Sequence, residues 1–267
     1  MNFRVTAIAV GITVLLSGCQ NGLNTNALLD SGSQAYKAAT LTDQDVKNMT
    51  DGACKEMDAG SNIASAKSKY TKRLNKIAKN LGNNINGTPA NYKVYLTSDV
   101  NAWAMANGCI RVYSGLMDMM NDDEIEGVLG HEMGHVALGH TKKAMQVAYS
   151  AAAAHTAAGA AGGVVGQLSS TQLADLGEDL INAQFSQKQE SDADDYSYDL
   201  LKKRKLPVKG LVTAFEKLAK LSGGSEKSLF SSHPPSQERA DHMKERMAQD
   251  KYCLLYTSPS PRDGATS

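Results

Sequence analysis

The feature that most constrains this chain is the pentapeptide His131-Glu132-Met133-Gly134-His135. The apolar residues around it recur at helical spacing. On a helix, two histidines four residues apart lie about 40° apart on one face, where their rings can bind a single metal ion. The carboxylate between them then lies beside the next coordination position. The sequence therefore predicts a partly buried helix that carries two metal ligands, His131 and His135, and an acidic group, Glu132.

Three glycines lie along one side of the same predicted helix. Gly127, Gly130 and Gly134 fall within a stripe about 60° wide, and a glycine inside a helix costs about 1 kcal/mol relative to alanine. A stripe of this kind is favoured where a second element packs closely. We expect that element to be a helix at about 178–204, which brings further side chains to the site.

Two acidic residues of this second helix are candidate site residues. Glu190 and Asp194 lie one turn apart on one face. Glu190 can supply a third protein ligand, which gives the open site of two histidines and one glutamate that is typical of catalytic zinc. Asp194 can accept a hydrogen bond from the outer ring N–H of a ligand histidine and so fix its tautomer. His140, His155 and His242 are predicted not to be ligands.

The composition does not favour nucleic-acid binding. The 267 residues include 28 Lys and Arg and 28 Asp and Glu, so the chain has no net charge that would attract a polyanion. Its four cysteines contain no CxxC pair, which argues against a structural zinc site built from thiolates. The chain is long enough to form the core of one enzyme-sized domain.

The N-terminus has the pattern of an export signal. Arg4 is followed by an apolar run at 5–16, which is shorter than the roughly 20 residues that span a bilayer as a helix. Leu16-Ser17-Gly18-Cys19 resembles a bacterial lipobox, in which the cysteine is acylated with chains such as palmitate. We expect a signal peptide at 1–18 and a lipid-anchored tether at 19–40. An ordinary cleaved signal with a chance cysteine is the alternative.

Export changes the expected state of the two cysteines in the body of the chain. Cys54 and Cys109 would reach an oxidising compartment, where such a pair usually forms a disulfide. Closing the loop between them would stabilise the fold by roughly 4 kcal/mol. Two separate buried thiols are the alternative.

The remaining pattern indicates one domain at 41–251. It is helical from Leu41 to about Gly82, strand-like in three short segments, and helical again from Asp122. The predicted strands are 92–96, 101–105 and 109–113, the last two joined by the hairpin signal Asn107-Gly108. Residues 252–267 resemble translated sequencing-adapter DNA, so we predict that they are a non-native tail.

Three motifs together resemble metallopeptidase family forty-eight, the gluzincin zinc peptidases. They are HEMGHVALGH, the ExxAD pattern at 190–194, and Ser232-His233-Pro234. The likeness extends from the lipobox to about residue 250. It is strongest to those members of the family that are outer-membrane lipoproteins. It implies an α+β, mostly helical zincin-like domain whose small sheet has an edge strand beside the active-site helix. It also implies one zinc ion per subunit, held by His131, His135 and Glu190.

The resemblance also implies roles for other residues. Glu132 would act as the general base and then deliver its proton to the leaving amine. Two roles stay open for His233, which can donate a hydrogen bond to the oxyanion or occupy the fourth metal position and hold the enzyme shut. Arg239 would pair with a carboxylate near the cleft.

The edge strand is the expected substrate-binding element. Its residues Asn101, Ala102, Trp103 and Ala104 would bind a substrate backbone by strand addition, which accepts many sequences.

Two functions from different classes follow from these expectations. The first is a zinc endopeptidase that hydrolyses misfolded or misassembled cell-envelope proteins, anchored in the outer membrane with its domain in the periplasm. Other envelope proteases or assembly proteins are candidate partners, and nucleic acid is not. The second is a chaperone or binding module in which zinc is structural and clients are held without being cut.

Overall fold

The computed structural model describes residues 41–157, 168–220, 233 and 237–257. Its helices are α1 Asp43–Ala59, α2 Lys69–Leu81, α3 Ser114–Met119, α4 Asp122–Ala137, α5 His140–Ala157, α6 Ser170–Ile181, α7 Gln187–Arg204, α8 Lys209–Lys220 and α9 Gln237–Thr257. Its strands are β1 Asn84–Ile85, β2 Thr88–Pro89, β3 Asn91–Tyr95, β4 Ala102–Ala104 and β5 Cys109–Tyr113. The predicted class, α+β and mostly helical with a small sheet, is confirmed.

The segments predicted for the two ends of the chain lie largely outside the described residues. The expected signal peptide at 1–18 and tether at 19–40 are not among the described residues. At the other end, α9 continues to Thr257 and so runs past the boundary expected at 251. Among the helices that are described, none is sufficiently long and apolar to cross a bilayer.

The helical pattern expected between Leu41 and Gly82 is divided into two helices. A capping box between Thr42 and Asp45 begins α1, which ends at Gly60. The next residues cross to the sheet, where Ile63 forms an isolated bridge with Tyr95. Periodicity alone did not reveal this break, because both helices bury apolar residues at the same spacing.

The main sheet has three strands in the order β3-β5-β4. β3 runs parallel to β5, and β4 runs antiparallel to it. The predicted hairpin joins β4 to β5 through Gly108, whose φ of +82° is accessible to glycine and whose Cα lies against the carbonyl of Pro89. As expected, β4 is therefore an edge strand, and it packs beside α4.

A second, two-stranded hairpin was not predicted. β1 pairs with β2 across Asn86 and Gly87, which have φ values of +48° and +94°. An Asn-Gly pair between short extended segments is the common signal for such a turn.

The glycine stripe lets two helices reach α4. A Cβ added at Gly134 would lie 2.9 Å from the carbonyl oxygen of Ala193, and one at Gly130 would lie 2.5 Å from the hydroxyl of Ser197. Both neighbours belong to α7. At Gly127 the close neighbour is the backbone of Leu211 on α8. The expectation that a helix carrying Glu190 packs against the stripe is confirmed, and α4 is buried from Glu124 to His135.

The helix expected at 178–204 is also divided. α6 ends at Ile181, and α7 begins after Ser186, which forms a capping box with Gln189. The break allows Phe185 to lie against the site, with its ring centroid 4.0 Å from that of His135.

A disulfide and a buried ion pair hold α1 against the sheet. Cys54 of α1 is bonded to Cys109 of β5, as predicted. Beside this bond Arg111, only 1% exposed, donates to both carboxylate oxygens of Asp58 at 2.7 and 2.9 Å. Burial alone would raise the pKa of Asp58, but donation from Arg111, Lys93 and Tyr95 lowers that pKa to about 2. Asp58 therefore stays ionised at neutral pH and balances the buried guanidinium.

Candidate active site

Four side chains from three parts of the chain converge on one point. His131 and His135 come from α4, Glu190 from the first turn of α7, and His233 from the segment before α9. One ligand atom from each lies within 4.8 Å of all the others, and every one of the four residues is buried. The pair of rings and the carboxylate predicted to bind one metal ion are thus brought together.

The spacing of these atoms fits a tetrahedral ion. The Nε2 atoms of His131 and His135 are 3.1 Å apart, and they lie 3.5 and 3.4 Å from the two carboxylate oxygens of Glu190. Four ligands at about 2.1 Å from a central ion would be separated by about 3.4 Å. Two imidazoles and a carboxylate are also a donor set that zinc accepts.

The protonation states favoured for Glu190 and His135 are those that bind a metal cation. Burial alone would raise the pKa of Glu190, but its contacts with the rings of His135 and His233 hold that pKa well below its ordinary value. Burial lowers the pKa of His135 far below its ordinary value. Ligands must be deprotonated to bind a metal, so an ionised carboxylate and a neutral ring are the required forms.

Asp194 and Arg239 orient His131 from the side of its ring that faces away from the cluster. Asp194 accepts a hydrogen bond of 2.8 Å from Nδ1 of His131, which leaves Nε2 facing the cluster. Arg239 donates to both oxygens of Asp194 at 2.7 and 2.6 Å, and its Nη1 lies 2.8 Å from Glu190. Burial alone would raise the pKa of Asp194, but donation from Arg239 and His131 lowers it. Both residues thus lie where the sequence prediction placed them.

Glu132 lies beside the cluster with a free oxygen. The residue is 2% exposed, and its Oε1 has no hydrogen-bond partner among the described residues. A cavity of about 20 Å³ adjoins this oxygen and is also lined by Ala104, Thr141 and Phe185. That space holds roughly one water molecule. Burial raises the pKa of the Glu132 carboxyl.

His233 occupies the fourth place in the cluster. Its Nδ1 is 3.2 Å from Nε2 of His131 and 2.9 Å from Oε1 of Glu190, whereas its Nε2 is 3.6 Å from Glu132. Burial alone would lower the pKa of His233, but the carboxylates of Glu132 and Glu190 raise it. Of the two roles left open by the sequence, this position favours occupation of the fourth metal site.

The expected substrate strand borders the same cavity. Asn101 and the three residues of β4 are buried, and Trp103 and Ala104 line the space beside Glu132. The backbone carbonyl of Asn101 accepts from Tyr113 of β5, which ties this end of the strand to the sheet. The sheet therefore presents its β4 edge toward the candidate catalytic group.

Comparison with known proteins gives the family. A model described as peptidase family M48 matches residues 68–247. The chain is 58% identical over 250 residues to Metalloprotease LoiP of Escherichia coli (strain K12), which covers 94% of this chain and 99% of LoiP. The chain belongs to peptidase family M48. The resemblance predicted from its three motifs is confirmed.

Two further relatives support this membership. Metalloprotease YcaL of Escherichia coli (strain K12) is 62% identical over 239 residues, which covers 89% of this M48 chain and 94% of YcaL. Protease HtpX of Thioalkalivibrio sulfidiphilus (strain HL-EbGR7) is 48% identical over 50 residues, or 17% of each chain.

One residue that contacts a ligand of this M48 site, His140, was not predicted from the sequence. On one continuous helix His140 would lie about 140° from His135, but α4 ends before Leu138 and α5 begins at His140. The change of direction between the helices brings Nδ1 of His140 to 3.1 Å from Nδ1 of His135. Burial lowers the pKa of His140, so its neutral ring can accept the outer N–H of His135. Gly139, with φ of +75°, was the available signal for this bend.

We predict that His140→Ala weakens metal binding about 10- to 100-fold, because His135 loses the acceptor that fixes its tautomer and ring orientation. The measurement is the zinc dissociation constant, obtained by competition with a chelator. His140→Asn keeps a side-chain acceptor and is expected to recover part of the affinity. Equal affinities for the wild type and the Ala variant would contradict a positioning role.

Proposed function

We propose that this chain is a zinc-dependent endopeptidase that hydrolyses peptide bonds of misfolded or misassembled cell-envelope proteins. The observation that carries the proposal is the set of ligand atoms with Glu132 beside it, whose Oε1 accepts no hydrogen bond from the described residues. Membership of family M48 and the names of LoiP and YcaL as metalloproteases support a metal-dependent peptidase. Residues 41–251 are the proposed peptidase domain.

His131, His135 and Glu190 would hold the zinc ion, which supplies Lewis acidity that polarises a peptide carbonyl and acidifies water. Glu132 accepts the proton of the attacking water and later donates it to the leaving amine. Asp194 keeps the ring of His131 in the tautomer that leaves Nε2 unprotonated. Arg239 offsets the charge of the two buried acids beside it.

Substrate would bind as an added strand along β4. Main-chain hydrogen bonds to an edge strand depend little on side chains, so unfolded segments of many sequences can be accepted. β4 also borders the cavity beside Glu132, so a peptide paired with it would pass the catalytic group. This arrangement suits a quality-control peptidase whose substrates share only the lack of a fold.

His233 is proposed to hold the resting enzyme shut. Its Nδ1 lies among the ligand atoms, in the place that water and a substrate carbonyl must occupy during hydrolysis. Unlike the other three cluster residues, His233 does not lie on a helix of the described chain. Withdrawal of this ring would open the fourth position without disturbing α4 or α7.

The proposed location is the periplasmic face of the outer membrane. It rests on the lipobox-like sequence that ends at Cys19 and on the disulfide between Cys54 and Cys109, which suits an oxidising compartment. The residue after Cys19 is Gln20 and not Asp, which resembles the sorting signal of lipoproteins sent to the outer membrane. Misassembled envelope polypeptides and other envelope proteases or assembly proteins are the proposed partners.

The second candidate is a chaperone that binds clients at β4 without cutting them. Four protein ligands around one ion are typical of structural zinc, and the position of His233 gives the cluster four. Glu132 favours the peptidase, because a structural site has no use for a buried base whose Oε1 accepts no hydrogen bond from the described residues.

We predict that Glu132→Gln lowers the rate of casein cleavage by about 10²- to 10⁴-fold, because the amide cannot accept the proton of water. Zinc content should not change, since Glu132 is not among the ligand atoms. Glu126→Gln is the matched control, a buried glutamate on the same helix that pairs with Asn80. Cleavage by Glu132→Gln at the wild-type rate would exclude the mechanism, and a wild type that binds casein without cutting it would support the chaperone.

We predict that His233→Ala raises the rate of casein cleavage, because the fourth position becomes free for water and substrate. If His233 instead stabilised the oxyanion, the same variant would lose about 10²- to 10³-fold in kcat. Initial rates at saturating casein separate these outcomes. His242→Ala is the control, since this histidine pairs with Asp195 and lies outside the ligand cluster.

We predict that Cys19→Ala moves the protein from the membrane fraction to the soluble fraction, because the acyl chains that anchor it cannot be attached. Its cleavage of casein should be unchanged, since every residue of the proposed catalytic and substrate-binding site lies at position 101 or later, far along the chain from Cys19. Fractionation and a casein assay on both fractions measure this. Retention of the variant in membranes would contradict the lipid anchor.

A further inference from the structure

Positive charge is concentrated in two segments that contain no acidic residue. Residues 67–82 contain six Lys and Arg, and residues 202–209 contain five, so these 24 positions hold 11 of the 28 cationic residues of the chain. The chain as a whole is neutral. Its cationic charge is therefore distributed unevenly along the sequence, and the fold decides whether the two segments meet.

The fold brings the two segments onto one side of the molecule. Arg204, at the end of α7, has its guanidinium directly against Gly82, which caps α2. Lys209 begins α8, and the next residue, Gly210, packs on the backbone of Asp123 at the start of α4. The neighbouring Asp122 binds Arg73 and Lys76 of α2 at 2.7 and 3.0 Å. One end of the second segment thus adjoins α2, and the other lies against the start of α4, whose Asp122 pairs with α2.

The outer side of α2 is a continuous row of lysines. Lys69, Lys72, Lys76 and Lys79 fall within a stripe about 80° wide on this helix, and all four are exposed. We call the basic face the exposed side chains of this row together with those at the end of α7 and the start of α8. Its members are Lys69, Lys72, Lys76, Lys79, Lys203, Arg204, Lys205 and Lys209; Lys202, which is also exposed at the end of α7, pairs with Asp250 and is not counted.

The charge of the basic face is largely uncompensated. Of its eight members only Lys76 forms an ion pair within the described part of the chain. The acidic side chains near α2 include Asp118, which accepts from Tyr70, Asp122, which is neutralised by Arg73 and Lys76, and Asp123. At the end of α7, Asp199 and Asp250 pair with Arg246 and Lys202. Glu126 is buried and pairs with Asn80. The cations therefore outnumber the acids on this surface.

We propose that the basic face docks onto the anionic headgroups of the membrane that carries the lipid anchor. Lysines near an anionic bilayer contribute about 1 kcal/mol each, and four to eight of them form an effective site. Seven of the eight members are lysines, whose hydrated point charges suit a diffuse layer of headgroups better than the paired geometry that arginine favours. This inference rests on the proposed anchoring at Cys19 and not on the proposed reaction.

Docking through the basic face would determine which way the candidate active site faces relative to the membrane. α2 packs against β3, whereas the candidate site lies beside β4, at the opposite edge of the three-stranded sheet. With the basic face on the membrane, the β4 edge points away from it toward soluble substrates. A random-coil tether with the length of 20–40 would span about 25 Å on average, which would permit this orientation without imposing it.

The experiment measures vesicle binding by the chain from residue 20 onward, which keeps every described residue but lacks the leader and the acyl chains. Co-sedimentation is compared for vesicles of phosphatidylethanolamine alone and for vesicles that also contain phosphatidylglycerol. We expect binding only to the anionic vesicles, weakening as salt is raised. Lys69→Glu, Lys72→Glu and Lys79→Glu combined should weaken it about a hundredfold or more.

A matched variant controls for total charge. Lys47→Glu, Lys55→Glu and Lys188→Glu combined change the net charge equally, on exposed lysines of α1 and α7 that lie outside the basic face. This control should bind the anionic vesicles like the wild type. Both triple variants should cleave casein normally without vesicles, which separates failure of docking from failure of the peptidase.

Three results would overturn the proposal. They are equal binding to both kinds of vesicle, equal loss of binding in the two triple variants, and a raised KM for acidic casein in the first variant with vesicle binding intact. The last result would identify the basic face as a substrate-recruiting surface.

Discussion

The close approach of α4 and α7 is the constraint on which the site depends. Two ligands lie on α4 and the third on α7, so the helices must be near enough for Glu190 to reach both rings. Gly130 and Gly134 make this possible, because any side chain there would collide with α7. The loss of helix propensity at each glycine, about 1 kcal/mol, is outweighed by the packing of a helix that is buried from Glu124 to His135.

The buried charges of the site form a connected network and not a set of isolated pairs. Arg239 binds the carboxylates of Asp194 and Glu190. Asp194 also accepts from His131, and Glu190 belongs to the ligand cluster. Leaving any of these groups unpaired would cost several kcal/mol. The network therefore fixes α9 against α7 and sets the orientation of a ligand ring at the same time. His140 orients the ring of His135 in the same way, through the contact between their Nδ1 atoms.

The sheet lies between the β4 edge, where substrate is proposed to bind, and the basic face, which is proposed to contact the membrane. β5 occupies the centre and is tied to α1 by the disulfide and by the pair of Arg111 with Asp58. This leaves β4 free to border the candidate catalytic carboxylate, while β3 supports α2 and its row of lysines. A substrate strand and a membrane surface would then be met by opposite edges of one small sheet, without competing for space.

The sequence by itself determined the ligand helix, the glycine stripe, the second acidic helix, the β4–β5 hairpin and the disulfide partners. Each depends on a short-range pattern or on the chemistry of a residue type, and so can be predicted locally. Only the tertiary structure decided where His233 and His140 lie and that two cationic segments meet. Those positions depend on a bend at Gly139 and on contacts between distant segments, whose angles no periodicity encodes.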